Sequence, residues 1–166
     1  MARRFRGEST HKVDAKGRVS IPAAYRRVLE ENDPDWTEGL NPNLVIVYGD
    51  ARRKFLEGYS MAAMAEVDDR IAAMKRGSPA RRYLERMFSG QAVPMQIDDT
   101  GRLVLSPKLR QKVGITNEAY FIASGDTFQI WRPETFEAEA SRFDDLFEGM
   151  GEDFDPLSLL DSDPGA

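Results

Sequence analysis

The stretch DAKGRVSIPAAYR, Asp14 to Arg26, returns 84 residues later as DDTGRLVLSPKLR, Asp98 to Arg110. At that offset Asp14 matches Asp98, Gly17 matches Gly101, Arg18 matches Arg102 and Arg26 matches Arg110. Apolar positions pair too: Val19 with Leu103, Ile21 with Leu105, Tyr25 with Leu109. A repeat of this kind makes each copy a unit that cannot bury its apolar face alone. The chain is expected to lay two similar halves against each other around one core. Its 166 residues suit one compact domain, or two small halves sharing a core.

Each copy has a readable local grammar. Asp-x-x-Gly is turn chemistry, because Asp bonds the backbone ahead of it and Gly supplies a positive φ. Short hairpin strands are expected around each turn, over 9–13 with 18–21 and over 93–97 with 102–105. A helix follows each hairpin. In the second copy Ser106 is the N-cap, Pro107 the first helical residue and Gly114 the stop. In the first, Pro22 opens a helix to about Leu29. Downstream, LVIVYGDARRKFL and TFQIWRPETFEAE both read as strand, aromatic, then polar helix start.

Between the copies Phe55, Tyr59, Ala63, Val67, Ile71 and Met74 recur every three or four residues, which predicts one helical face. Ser78, Pro79 and Gly90 bound a second short helix. NDPDWTEGLNPN reads as a surface loop. Strands are expected near 120–124 and 127–131, then a helix over 133–147.

Net charge is -5, but it is graded along the chain. Residues 1–30 hold eight Lys/Arg against three Asp/Glu, net +5, and residues 133–166 hold one against eleven, net -10. A basic patch acts within about 8–10 Å at ordinary salt, so it can attract phosphates while an acidic end lies elsewhere. From about Gly149 the chain is acidic and rich in Pro and Gly, which predicts a disordered tail.

Little in the sequence points to catalysis. His11 is the single histidine and cysteine is absent, which removes His-based triads, multi-His metal sites and thiolate chemistry. Nucleotide-binding glycine loops are missing. Asp68-Asp69 and Asp98-Asp99 lack the burial and convergence of a carboxylate dyad. An enzyme, a metal, a cofactor and a small-molecule substrate are therefore not expected. No apolar run approaches the roughly 20 residues of a membrane span, and a cytoplasmic location follows.

The basic residues are the stronger candidates. Arg6, Lys12, Lys16 and Arg18 fall on the first hairpin and its lead-in, and Arg26 and Arg27 on the helix after it. Arg102, Lys108, Arg110 and Lys112 fall in the second copy. The guanidinium fork suits a phosphate or a guanine edge. Arg18 has two readings, a DNA contact or a pair with Asp14 across the turn. Arg26 and Arg110 could equally be helix-surface pairs. Asp98 and Asp99 dilute the field around Arg102.

FRGES leading into the first motif, then RRYLERMFSG, then the second motif, resembles the MraZ family, related to AbrB-type regulators. The resemblance covers roughly residues 5–147 and excludes the acidic end. It implies an α+β fold, a pseudo-two-fold swapped-hairpin β-barrel built from two internal repeats, with helices between and after them. Residues 5–50 would be the first half, 51–90 the helical connection, 91–147 the second half and 149–166 the tail. It implies a sequence-specific transcriptional regulator, nucleoid-associated. Such a protein would bind tandem promoter repeats of double-stranded DNA, upstream of the division and cell-wall gene cluster, as a ring-shaped homo-oligomer. Carried over by position, Arg18, Lys16 and His11 would face DNA beside Lys12 and Arg6. Asp14 and Gly17 would brace the turn, as Asp98 and Gly101 would in the second copy. The second copy, with Arg102 and Arg110, would serve the barrel and the subunit contacts. The alternative is a ring-forming interaction module or an AbrB-like antitoxin whose acidic tail binds a toxin.

Overall fold

The computed structural model describes residues 4–161, so the last five residues of the expected tail lie outside the described residues. The first copy supplies β1 (Glu8–Lys12), β2 (Arg18–Ser20), α1 (Ala23–Glu31), β3 (Asn43–Val47), β4 (Phe55–Ser60) and α2 (Met61–Ala72). α3 (Pro79–Glu85) runs into a π-helical turn, Arg86–Gly90. The second copy supplies β5 (Ala92–Gln96), β6 (Arg102–Val104), α4 (Pro107–Val113), β7 (Glu118–Ser124), β8 (Thr127–Trp131) and α5 (Pro133–Phe147).

The architecture is mixed α+β. Six strands form one antiparallel sheet in the order β1-β7-β8-β4-β3-β5, and β2 pairs with β6 in a separate ribbon. Exchange β1 with β5, β3 with β7 and β4 with β8, and the order reads the same in reverse. The ladder leaves β1 and β5 at its edges.

The hairpins expected within each copy do not form. β1 pairs with β7 and β2 with β6, so both strands around the first turn find partners in the other copy. The Asp14 amide does reach the Arg18 carbonyl, at 3.1 Å, after which the strands part. Asp-x-x-Gly determines a turn of a few residues. It does not determine which ladder follows, and here the ladder follows burial of the apolar faces of both copies.

Those faces match the repeat. Val13 and Ile97, Val19 and Leu103, Ile21 and Leu105, Tyr25 and Leu109 are all buried in one core with Phe121, Phe128 and Ile130. Leu44, Ile46 and Leu56 join it from β3 and β4. The other face of this hairpin, Val45, Val47 and Tyr59, packs against Ala63, Met64 and Met87. Burial on both sides explains the unbroken apolar run of β3.

The helix expected to begin at Phe55 starts six residues later. Phe55 and Tyr59 belong to β4, and Ser60 caps α2 by accepting the Ala63 amide at 3.1 Å. Apolar spacing of four fits either a helix or a strand buried on both faces. The likeness of LVIVYGDARRKFL to TFQIWRPETFEAE also shifts: β3 corresponds to β7, and a whole strand, β4, precedes the helix. The loop 32–42 is anchored at its start. Asp33 is buried and accepts the Asn43 amide at 2.9 Å and the Asp35 amide at 3.0 Å.

Other boundaries agree with the sequence. Ser106 accepts the Leu109 amide at 3.3 Å, Pro107 opens α4, and Gly114 ends it with φ 75°. Ser78 caps α3 and α5 spans Pro133–Phe147. In the expected tail, residues Pro156–Asp161 form a 3-10 helix with no buried residue.

Candidate nucleic-acid interface

The two turns are built alike. Asp14 Oδ1 accepts the amides of Lys16 and Arg18, each at 2.9 Å, and Oδ2 accepts Arg18 Nε at 2.6 Å. Asp98 Oδ1 accepts the amides of Thr100 and Arg102 at 2.9 Å, and Oδ2 accepts Arg102 Nε at 3.2 Å. These donors favour the ionised carboxylate. The Arg18 amide foremost holds Asp14 below the usual carboxylate range, and the Arg102 amide foremost lowers Asp98 to about 2.

The turns also lock across the copies. The Leu105 amide donates to the Gly17 carbonyl at 2.8 Å, and the Ile21 amide to the Gly101 carbonyl at 3.0 Å. Arg26 Nη1 donates to the Asp98 carbonyl at 3.3 Å and Nη2 to Asn41 Oδ1 at 3.2 Å. Its Nε pairs with Glu30 at 3.3 Å. Arg110 Nε caps the Leu105 carbonyl at 2.9 Å, directly above the Gly17 turn. The second arginine of each motif therefore serves the seam between copies.

Arg18 takes the aspartate pair that the sequence left as one of two readings. Its side chain is still 39% exposed, and its terminal guanidinium nitrogens donate to no described residue. Lys16 stands exposed at the tip, with only its backbone engaged. Arg6 and Lys12 are exposed, and neither they nor Lys16 form an ion pair with a described residue. Arg6 lies at the far end of β1 from the turn, beside Gly125, and His11 is set apart as well. Alternation along β1 turns it to the opposite face from Lys12, where it bonds Ser9 Oγ at 2.7 Å and meets the Phe121 ring edge-on at 5.4 Å. Partial burial lowers its pKa.

Two lysines of the second copy are engaged by the protein's own groups, while Arg102, 35% exposed, pairs through Nε as Arg18 does. Lys108 Nζ lies 4.8 Å over the Tyr48 ring, and Lys112 Nζ donates to the carbonyls of Asp50 and Arg53 at 3.1 and 3.2 Å. The tips differ as well. At the 84-residue offset Lys16 answers to Thr100 and Ala15 to Asp99, so one tip is cationic and the other anionic. That contrast, visible only when the copies are aligned residue by residue, is the sequence signal that distinguishes the two tips.

Among the described residues no cluster of three or more His, Cys, Asp or Glu could hold a metal. No described helix is long and apolar enough to cross a membrane.

The family model described as "MraZ protein, putative antitoxin-like" matches the chain twice, over residues 4–86 and 87–152. The two matches meet where α3 passes into the π-helical turn. The chain belongs to the MraZ family of transcriptional regulators. Proteins named "Transcriptional regulator MraZ" from Ruegeria sp. (strain TM1040) and Ruegeria pomeroyi are 60% and 59% identical to it, each over the full length of both chains. One from Cereibacter sphaeroides (strain ATCC 17025 / ATH 2.4.3) is 44% identical over 97% of this chain and 98% of its own. The Ruegeria matches include the acidic end, so that end has full-length counterparts.

Proposed function

We propose that this MraZ chain regulates transcription by binding double-stranded DNA at tandem promoter repeats through its first turn, as a ring-shaped homo-oligomer. The observation that carries the reading is the contrast between two turns of one geometry. The first presents Lys16 at its tip and the half-exposed guanidinium of Arg18 beside it, with exposed Lys12 on the strand that leads in. The second presents Asp99 and Thr100. Asp14 orients Arg18 through Nε and leaves its terminal nitrogens to bond a phosphate or a base edge.

The cross-copy pairing supports reading the core as a pseudo-two-fold, swapped-hairpin barrel of the AbrB type. One small basic turn binds weakly. Several on one ring, spaced to match DNA repeats, make later contacts intramolecular and raise avidity by roughly 10²–10⁴-fold. Such a protein resides in the cytoplasm on the nucleoid.

Fluorescence anisotropy with DNA from upstream of the protein's own gene, against scrambled DNA, tests this. Arg18→Ala is expected to abolish the preference for the upstream DNA while leaving the mass in solution unchanged. Equal binding of both DNAs by the native chain would reject the reading in favour of an interaction module or antitoxin. Loss of assembly together with binding would make Arg18 structural.

A further inference from the structure

The end of the chain carries apolar side chains that no described residue covers. Phe143, Leu146, Phe147 and Met150 are 61%, 71%, 41% and 49% exposed. Their spacing of three, four and seven residues aligns them on one helical face. Leu157, Leu159 and Leu160 follow, also exposed. Around them, residues 143–161 hold seven Asp/Glu and no Lys/Arg. A contiguous apolar face rimmed by charge is the mark of an interaction surface.

A groove of matching character lies between α2 and α3. It has a volume of about 420 Å³ and is lined by Val67, Ile71, Met74 and Leu84, with Arg70 at its edge. Arg81 fixes the corner that shapes it, pairing with Glu85 at 3.2 Å and donating to the carbonyls of Met74 and Ala72 at 2.7 and 3.3 Å. Residues 67–86 hold six Lys/Arg against three Asp/Glu, a net of +3. The open face thus has acidic neighbours and the groove basic ones, and both surfaces are apolar at their centres.

We propose that the Phe143–Met150 face of one copy seats in the α2–α3 groove of a neighbouring copy. The face is exposed in its own chain and contributes nothing to the lining of its own groove, so the contact runs between chains. Its two surfaces differ, which makes it heterologous, and repetition of such a contact closes a ring when its rotation divides a full turn. Charge complementarity sets the register and makes assembly sensitive to salt. The inference rests on the ring reading above and names the contact that would build it.

The absence of cysteine allows a direct test. Chains carrying Leu146→Cys are mixed with differently tagged chains carrying Met74→Cys under mild oxidation. Disulfide-linked pairs of the two tags are expected, with none between chains of one kind. In light scattering, Phe143→Glu with Leu146→Glu is expected to bring the mass down to a single chain, and Met74→Glu to do the same from the groove side. All these side chains are exposed or half-exposed, and circular dichroism should report an unchanged fold. A wild type that assembles, without the 74–146 link and without response to these substitutions, would overturn the contact and leave the ring standing. A single-chain wild type would overturn both. A link within one chain carrying both cysteine substitutions would assign the groove to the chain's own end and overturn the inference.

Discussion

The Gly17 carbonyl accepts the Leu105 amide at 2.8 Å, from the other copy of the repeat. The approach is so close that a Cβ on Gly17 would lie 2.1 Å from the Leu105 oxygen, with φ at +84°. Its counterpart Gly101 shares the positive φ, +78°, but a Cβ there would meet nothing nearer than Arg26 Nη1 at 3.8 Å. Gly101→Ala should therefore cost about 1–2 kcal/mol, for the left-handed backbone alone. Gly17→Ala should add about 1–3 kcal/mol from the shift it forces. Urea denaturation of the two variants checks this, and equal losses would contradict it.

Gly58 faces Phe128 across β4 and β8, and a Cβ there would lie 2.3 Å from the ring. Phe128 is fully buried and packs edge-on against Phe5 at 5.1 Å, so it has no room to retreat. Gly58→Ala should destabilise the chain by about 1–3 kcal/mol through overpacking. The midpoint of chemical unfolding is the measurement.

The turn aspartates give the stability a direction with pH. Asp14 and Asp98 are both held below the usual carboxylate range by amides and arginines, Asp98 at about 2. The unfolded chain, with Asp near about 3.9, takes up these protons first. Their contribution is complete above that value and is lost as pH falls towards about 2. Asp98→Asn should flatten the acid limb of a stability profile between about pH 4 and pH 2. A limb of unchanged slope would show that other carboxylates dominate it.

Salt dependence distinguishes the two tips. If Lys16 neutralises one phosphate, Lys16→Ala should reduce the slope of log affinity against log salt by about 0.9. Thr100→Ala, at the matching position, should leave it unchanged. Anisotropy titrations across a salt series decide between them.

The parts of the fold with strong local chemistry were legible before the structure. Ser106, Pro107 and Gly114 bracket α4 because capping and φ restriction act within one turn of the residue itself. Strand partners were not legible. Asp14 and Gly17 dictate a reversal of the chain, but β1 pairs with β7 because the pairing buries Val13, Phe121 and their neighbours together. Phe55 and Tyr59 read as helical because their spacing of four suits both structures. Only the double burial of β3 and β4 shows which applies. For the site, the basic residues were visible and the sorting among them was not. Arg26 and Arg110 are bound into the seam, and His11 lies across the strand from Lys12.

The reversible strand order has a consequence for how the molecule can be taken apart. Each half gives its first strand to the other's sheet, so neither half contains a complete ladder, and the peptide link through exposed Gly77 is what joins them covalently. A backbone severed there should yield two fragments, each unstructured as a monomer, that complement one another when mixed. The same pairing offers each fragment its own twin as a substitute partner, so such a mixture would contain three kinds of dimer, and the covalent connection is what selects one of them.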